Sequence, residues 1–416
     1  MRLLYFAPHQ IWPINSGNRV RSYHLARQLA ARSSVTFVEM RQAGEEPHIV
    51  PDDSGLARVI TLNKGQSYTP SKILRGLAGP TPVTLLNCWS IQAASQLSEV
   101  LRSRQFDTVQ IEGVHLMNFL PIIQGAPSSP ALVVDWHNIE SEVMWRYAKT
   151  TDNWAKKIAA KRTAKLIERA EERLLDTCAT HTVASERERQ MLLTRRPCAD
   201  IRVIPNGVDT SFYTATKIAE ACSRSGQGNS KQTILFVGSM DYHANVDGVT
   251  WFSRAAWPEI ARNHPDLQFT IVGRDPAPEV RALDSDRIHI TGTVDDVRSF
   301  YASAVAAVVP IRSGSGTRLK ILEAMAAGVP VVSTRLGAEG IEAEDGVHMQ
   351  LADSAPEIAA AVHRIVSSAE MRSRMLQAAR ALVCRVYDWS IIGKQLCGIH
   401  TDLVESSGPS SLRKVS

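Results

Sequence analysis

Residues 305–334 read VAAVVPIRSGSGTRLKILEAMAAGVPVVST, and the fold turns on this stretch. The apolar run 305–310 is too short for a helix and rich in β-branched valine, which predicts a buried parallel strand closed by Pro310. A loop holding Gly314 and Gly316 follows. Residues 317–327 are good helix formers without proline or glycine, Gly328 stands where a helix stop belongs, and 329–333 reads as the next buried strand. The stretch is one strand-loop-helix-strand unit of a parallel α/β sheet.

A glycine-flanked loop that opens a helix lets backbone N–H groups approach an anion, and the helix end adds roughly half a positive charge toward it. Arg318 and Lys320 place two cations in the first predicted turn, where the helix dipole disfavours them, so a phosphate ligand is the better reason for them. Lys320 and Glu323 share a helical face, which sets a carboxylate one turn beyond the cation, about the reach from a diphosphate to ribose hydroxyls. Read locally, the same residues also fit a plain helix N-terminus with a surface Arg, Lys and Glu.

The segment GSGTRLKILEAMAAGVPVVST resembles the donor-site segment of glycosyltransferase family 4, the group 1 glycosyltransferases. The resemblance implies a retaining sugar transferase of GT-B fold, with two Rossmann-like, doubly wound domains facing a central cleft. The usual family pattern carries one glutamate near the transferred sugar and a second, eight positions on, at the ribose. Glu323 matches the second and Ser315 stands at the position of the first.

The chain has 416 residues, enough for two domains of ordinary size. Hydrophobic residues at 44% and charged residues at 21% exclude a mainly disordered or fibrous protein. A net charge of +5 suits anionic substrates or an anionic membrane surface and is weak support for nucleic acid, which is not an expected partner. The six cysteines show no C-x-x-C pair or other metal spacing, which reads as free thiols in a reducing cytosol. The opening MRLLYFAP has too short an apolar run for a signal peptide, and no run reaches the length of a bilayer span. The expected place is therefore the cytoplasm, with at most peripheral contact at the inner face of the membrane.

Strands are expected at 3–6, 35–39, 59–62, 108–112, 132–135, 181–184 and 201–205, and in the second half at 234–237, 268–272, 288–290 and 347–351. The turn after the first carries Gly17 and lacks the G-x-G-x-x-G of a dinucleotide site. The family resemblance has this glycine loop approach the donor phosphates, and locally it is equally a surface turn. Strand 132–135 runs into Trp136, His137 and Asn138, and ligands of open parallel sheets collect at such strand ends. WHNIES resembles the family's HNVES loop, whose histidine approaches the transferred sugar, so the resemblance assigns that role to His137. A long helix over 153–175 carries Lys156, Lys157, Lys161, Arg162 and Lys165 with no acid among them and Trp154 at its head. It reads as a solvated face or as a surface for anionic lipid. IPNGVD matches the family segment that begins the connection between domains, and Ser/Gly-rich ACSRSGQGNSKQ suits a linker.

The expected organisation is a first domain at 1–208, a linker at 209–232, a second domain at 233–385, a helix returning to the first domain at 386–404 and a disordered tail at 405–416. After the strand at 234–237 the family usually places an arginine and a lysine on the diphosphate. This chain has neither there, so Arg318 and Lys320 are the substitutes. Gly292, Thr293 and Val294 resemble the loop beside the nucleotide base. Asp295-Asp296, before a helix, reads as an N-terminal cap. The site would thus use Gly314, Ser315, Gly316 and Thr317 with Arg318 and Lys320 at the phosphates, Glu323 at the ribose, and His137 and Ser315 at the sugar. No cofactor or metal is expected. The reaction implied is sugar transfer from a nucleotide diphosphate donor to a glycan or lipid-linked acceptor, in polysaccharide or glycoconjugate synthesis. The alternatives are a nucleotide-sugar epimerase of the same fold and a non-catalytic sugar-nucleotide-binding protein.

Overall fold

A computed structural model describes residues 1–51, 54–151, 153–177, 180–225, 232–314 and 316–407. The chain divides into two compact units, the first built from Met1–Pro205 and the C-terminal helix that begins at Trp389, the second from Asn206–Asp388.

The first unit holds strands β1 (Arg2–Phe6), β2 (Ser34–Gln42), β3 (Val59–Lys64), β4 (Thr108–Glu112), β5 (Ala131–Trp136), β6 (Thr180–Val183) and β7 (Ile201–Val203). They form one parallel sheet in the order β3-β2-β1-β4-β5-β6-β7. Successive residues of a strand point to opposite faces, so Leu4 and Phe6 of β1 join one core while Leu3 and Tyr5 join another on the far side. Helices must therefore cover both faces, which explains the near-continuous apolar strands. Helix Gly17–Ala30 covers one face together with the C-terminal helix Trp389–Ser407, whose Trp389 ring stacks on His24 at 4.9 Å. The helices meet closely because Gly393 has no side chain: a Cβ there would come within 2.4 Å of Gln28 Cβ.

The second unit holds β8 (Thr233–Val237), β9 (Gln268–Val272), β10 (Ile288–Gly292), β11 (Ala304–Val309), β12 (Val331–Ser333) and β13 (Gln350–Leu351), in the order β10-β9-β8-β11-β12-β13. Both sheets are all-parallel and doubly wound, and each is Rossmann-like. Their order reverses between β1 and β4 in one and between β8 and β11 in the other, and ligands of such sheets bind at the carboxyl ends of the strands beside that reversal.

Several expectations shift. Helix 317–327 begins at Leu319, with Arg318 in an extended conformation at its N-cap, because Gly314 and Gly316 hold φ of +97° and +83° and keep the chain non-helical until then. Gly328 ends it at φ +76°, in the left-handed conformation that glycine takes without penalty. The segment 209–232 is no simple linker. Helix Ala215–Ser225 belongs to the second unit, with Tyr213 and Ala221 buried, and residues 226–231 lie outside the described residues. The unit boundary follows Pro205, and Val208 donates its N–H to the Tyr387 carbonyl at 2.8 Å. Tyr387 is itself buried in the second core, so the returning helix starts at Trp389 and not at 386. That helix runs on to Ser407, which overturns the tail expectation for 405–407, and 408–416 lie outside the described residues. Helix Arg298–Ser303 starts after Asp296, which accepts the Arg298 backbone N–H at 3.0 Å and pairs with its guanidinium, so the acid does serve the helix start.

Candidate active site

In the second unit the polar groups gather at the carboxyl ends of β8 and β11. Lys320, in the first turn of helix Leu319–Ala327, donates from Nζ to Asn245 Oδ1 at 2.9 Å and lies 3.9 Å from the centre of the Phe236 ring. Asn245 in turn donates to the Ser239 carbonyl at 2.8 Å, and Arg274 Nε donates to Ser239 Oγ at 2.9 Å. Gly238, the residue after β8, leaves room for all of this: a Cβ there would meet Lys320 Nζ at 2.6 Å and Asn245 Nδ2 at 2.9 Å. A Gly273 Cβ would meet the Gly238 carbonyl oxygen at 1.7 Å, so β9 can end this close to β8 only on a glycine at 273.

The glycine loop closes over this cluster. Gly314 needs its positive φ, and a Cβ there would lie 3.0 Å from the Tyr242 hydroxyl and 3.3 Å from Arg318 Nη2. Arg318 Nη1 donates to the Gly316 carbonyl, which folds the guanidinium back on its own loop. Ser315, expected at the sugar, lies outside the described residues, and Thr317 is half-buried between the loop and the helix. Burial, with the nearby Arg318 charge, brings the Lys320 ammonium down to a pKa of about 7 against the opposing pull of Glu323. A cation held in this state gains most from an anion brought to it.

Glu323 lies one turn on from Lys320, beside Tyr301. Burial pushes its carboxyl above the ordinary range, and Lys320 and the Tyr301 hydroxyl pull it back. Gly292 ends β10 at φ +69°, Thr293 is exposed, and Val294 packs partly against the second core. Gly17 is exposed and opens helix Gly17–Ala30, with Ser16 at the N-cap; nothing lies within 4 Å of a Cβ built on it, so the turn does not require glycine. Among the described residues no group of three or more His, Cys, Asp or Glu side chains is placed to hold a metal ion.

In the first unit, a cavity of about 220 Å³ opens where the sheet order reverses, lined by Pro8, His9 and Asn18 on one side and Glu112, Gly113 and His137 among others on the other. His137 Nε2 lies 3.1 Å from Asp135 Oδ2 and 3.5 Å from Glu112 Oε1. Asp135 also takes a two-pronged ion pair from Arg21, at 2.9 and 2.6 Å, and the Thr182 hydroxyl at 2.7 Å. Burial works against the charge on His137, but the two carboxylates outweigh it and raise the imidazole pKa to about 9. Burial pushes the Asp135 carboxyl up, and Arg21 and His137 hold it well below its ordinary value. His9, buried against its charged form, falls to about 4.

Reasoning from sequence singled out His137, Lys320 and Glu323, which lie in these two clusters, but not their neighbours Gly238, Asn245 and Arg274 in one unit or Arg21, Glu112 and Asp135 in the other. A signal existed for the two acids. Strands 108–112 and 132–135 both end on a carboxylate, which is costly inside a sheet unless paired. Nothing in the local pattern marked Asn245, which sits 75 residues from Lys320.

Two all-parallel Rossmann-like units with a cation and glycine loop at the reversal of the second sheet define a GT-B protein. A model described as Glycosyltransferase Family 4 matches residues 16–212, and one described as Glycosyl transferases group 1 matches residues 231–368. The chain belongs to that family. It is 31% identical over 209 residues to the phosphatidyl-myo-inositol mannosyltransferase of Mycolicibacterium smegmatis, covering 49% of this chain and 52% of that one. It is also 30% identical over 207 residues to a glycogen synthase of Mycobacterium tuberculosis, covering 47% and 46%. The chain thus spans about half the length of the curated relatives it matches. Among solved structures it is similar to sucrose-phosphate synthase from Thermosynechococcus elongatus, with a TM-score of 0.73, 17% identity and coverage of 98% and 100%. HepE of Anabaena in complex with UDP and glucose gives 0.67, 14%, 97% and 100%.

Proposed function

We propose that the protein is a retaining glycosyltransferase that moves a sugar from a nucleotide diphosphate donor to an acceptor hydroxyl. The observation that carries this reading is Lys320, a half-desolvated ammonium set against Asn245 and Gly238 under the Gly314 loop. As the bond between the anomeric carbon and the diphosphate oxygen breaks, negative charge grows on the diphosphate. Lys320, Arg318 and the helix N-terminus stabilise that charge in place, with no reorganisation and no bound metal. The acceptor oxygen forms its new bond on the face the diphosphate leaves, and the acceptor proton passes to a leaving phosphate oxygen. Glu323 takes the ribose hydroxyls, Gly292, Thr293 and Val294 flank the base, Gly17 approaches the donor phosphates, and His137 meets the sugar.

The solved HepE complex with UDP and glucose supports a nucleotide-sugar donor, and the mannosyltransferase relative, named for phosphatidyl-myo-inositol, supports a lipid-linked or glycan acceptor in glycoconjugate synthesis. No helix among the described residues is long and apolar enough to cross a membrane. Peripheral contact at the inner face of the cytoplasmic membrane is consistent with helix Trp154–Thr177, where Lys156, Lys157, Lys161 and Lys165 are exposed beside Trp154 and Ile158, 75% and 60% accessible. Arg162 donates to the Gly79 carbonyl at 2.9 Å, which ties this helix to the end of helix Pro70–Ala78 with its exposed Ile73, Leu74 and Leu77.

The test is a thermal-shift screen of nucleoside diphosphates and their sugars, followed by a transfer assay with and without chelator. A ligand at about 100 times its Kd stabilises by roughly 2.7 kcal/mol. A nucleoside diphosphate shift with transfer that survives chelation is expected. Absence of any nucleotide shift, or activity lost in chelator and restored by magnesium or manganese, would overturn the reading or its metal independence respectively.

A further inference from the structure

The cavity of the first unit contains a charge problem that its residues solve in only one of two ways. Arg21, Asp135, Glu112 and His137 lie together, with Arg21, Asp135 and Glu112 each at most 2% exposed. Arg21 offsets Asp135, which leaves Glu112 with His137 as its partner at 3.5 Å. An isolated buried carboxylate is costly, so either the proton sits on His137 and the pair is ionic, or it sits on Glu112 and both are neutral.

The surroundings decide between them. Facing the pair from β1 and the loop after it are Tyr5 and His9, whose burial keeps the phenol protonated and the imidazole neutral. From helix Gly17–Ala30 come Arg21 and, acting on His9, Arg19; Lys64 of β3 acts on His9 as well. Glu188 acts through Arg21, while His115 and Glu140 line the cavity. His137 Nε2 faces two carboxylates at once, and one of them, Asp135, is anchored in its charged form by Arg21. Glu112 by contrast has no guanidinium of its own within ion-pair distance among the described residues. Among the described residues, His137 is the cationic side chain within ion-pair distance of it, while His9, which also acts on it, is held neutral by burial.

We propose that Glu112, with Asp135, is a positioning residue that holds the His137 ring as an imidazolium, so that His137 meets the transferred sugar as a fixed cation and hydrogen-bond donor and does not act as a base. With Nε2 turned toward the two carboxylates, Nδ1 is the nitrogen left for a sugar oxygen, and with the proton on Nε2 it can donate only if the ring is charged. A ring of this kind would hold a sugar oxygen as a charged hydrogen-bond donor. The proposal rests on the reading of His137 as a sugar contact, so its test separates the charge state from the reaction.

The experiment is a histidine-labelled NMR titration of the full chain, with the His137 signal assigned from His137→Gln. In the unmodified protein His137 is expected to remain protonated through pH 8, where an ordinary imidazole is almost wholly neutral. Glu112→Gln, which keeps shape and removes charge, should weaken proton binding at His137 by about tenfold or more, while Glu112→Asp should restore most of it. A His137 that is neutral at pH 7 in the unmodified protein would overturn the proposal even if no variant folded. So would a titration that Glu112→Gln leaves in place. Turnover is then measured against pH: the loss of kcat on the alkaline side should move to lower pH in Glu112→Gln by the same factor. A shifted titration with an unmoved pH profile would remove His137 from the reaction and with it the role of Glu112, while donor binding in the second unit would stand.

Discussion

Gly238 and Lys320 are so placed that one methyl group on the glycine would come within 2.6 Å of the lysine ammonium. The cation therefore occupies the space that any other residue after β8 would fill. A side chain 82 positions away in sequence, the difference of the two residue numbers, depends on the glycine having none.

Gly238→Ala should leave the fold standing, because the atoms it meets are the mobile ends of Lys320 and Asn245, and should weaken nucleoside diphosphate binding by about tenfold by displacing one charge-assisted contact. Gly273→Ala should instead unfold the second unit, since its Cβ meets the Gly238 backbone carbonyl. Calorimetric titration and thermal melting of the two variants check this contrast, and equal behaviour of both would refute it.

Lys320 titrates near pH 7 in the unliganded protein, and an arriving diphosphate favours its charged form. Binding should therefore take up protons above pH 7, and affinity should fall as pH rises past that point while staying level below it. Titration calorimetry in buffers of different ionisation heat reads the proton count directly. Lys320→Arg should abolish the pH dependence because the guanidinium stays charged throughout.

A charged carboxylate accepting ribose hydroxyl bonds contributes roughly 1.5–3 kcal/mol, against about 0.5–1.5 for a neutral serine bond. Glu323→Ala should cost about ten- to over a hundredfold in kcat/KM, and Ser315→Ala about two- to tenfold. Unchanged nucleotide affinity in Glu323→Ala would show that the carboxylate serves only its helix.

His137 also links stability to pH. Its folded pKa of about 9 lies above the ordinary value, so its contribution is fully present below about pH 6.5 and is lost as pH rises through about 9. The ceiling is on the order of 3 kcal/mol for a side chain only 10% exposed. Urea unfolding of the native protein and of His137→Gln should show a gap that narrows steadily from pH 6.5 to 9.

If helix Trp154–Thr177 holds the protein on lipid, binding to anionic vesicles should exceed binding to neutral ones and weaken with salt. Leu74→Ser with Leu77→Ser should reduce it further if helix Pro70–Ala78 inserts its exposed face. Equal sedimentation with both vesicle types would leave the lysines as a solvated face.

Much of the fold was legible because parallel strands buried on both faces carry unbroken apolar runs, and those runs mark their own positions. β4 and β9 fall where the pattern puts them, at Thr108–Glu112 and Gln268–Val272. Strand ends are less legible where a turn competes: the expected strand at 347–351 shortens to Gln350–Leu351 because Gly346 turns the chain at φ +75° and leaves Val347 exposed. Linker and tail were misjudged at 209–225 and 405–407 because polar, Ser-rich composition describes the solvent side of a helix as well as a loop.

By itself the sequence determined the two α/β halves, the glycine loop before helix Leu319–Ala327 and the side chains best suited to an anion, since each follows from spacing along a few consecutive residues. The tertiary structure alone decided which groups set the charge of those side chains. Asn245 reaches Lys320 across 75 residues, and Glu112 reaches His137 from a neighbouring strand. Desolvation and pairing are properties of the space around an atom, and strands remote in the chain build that space.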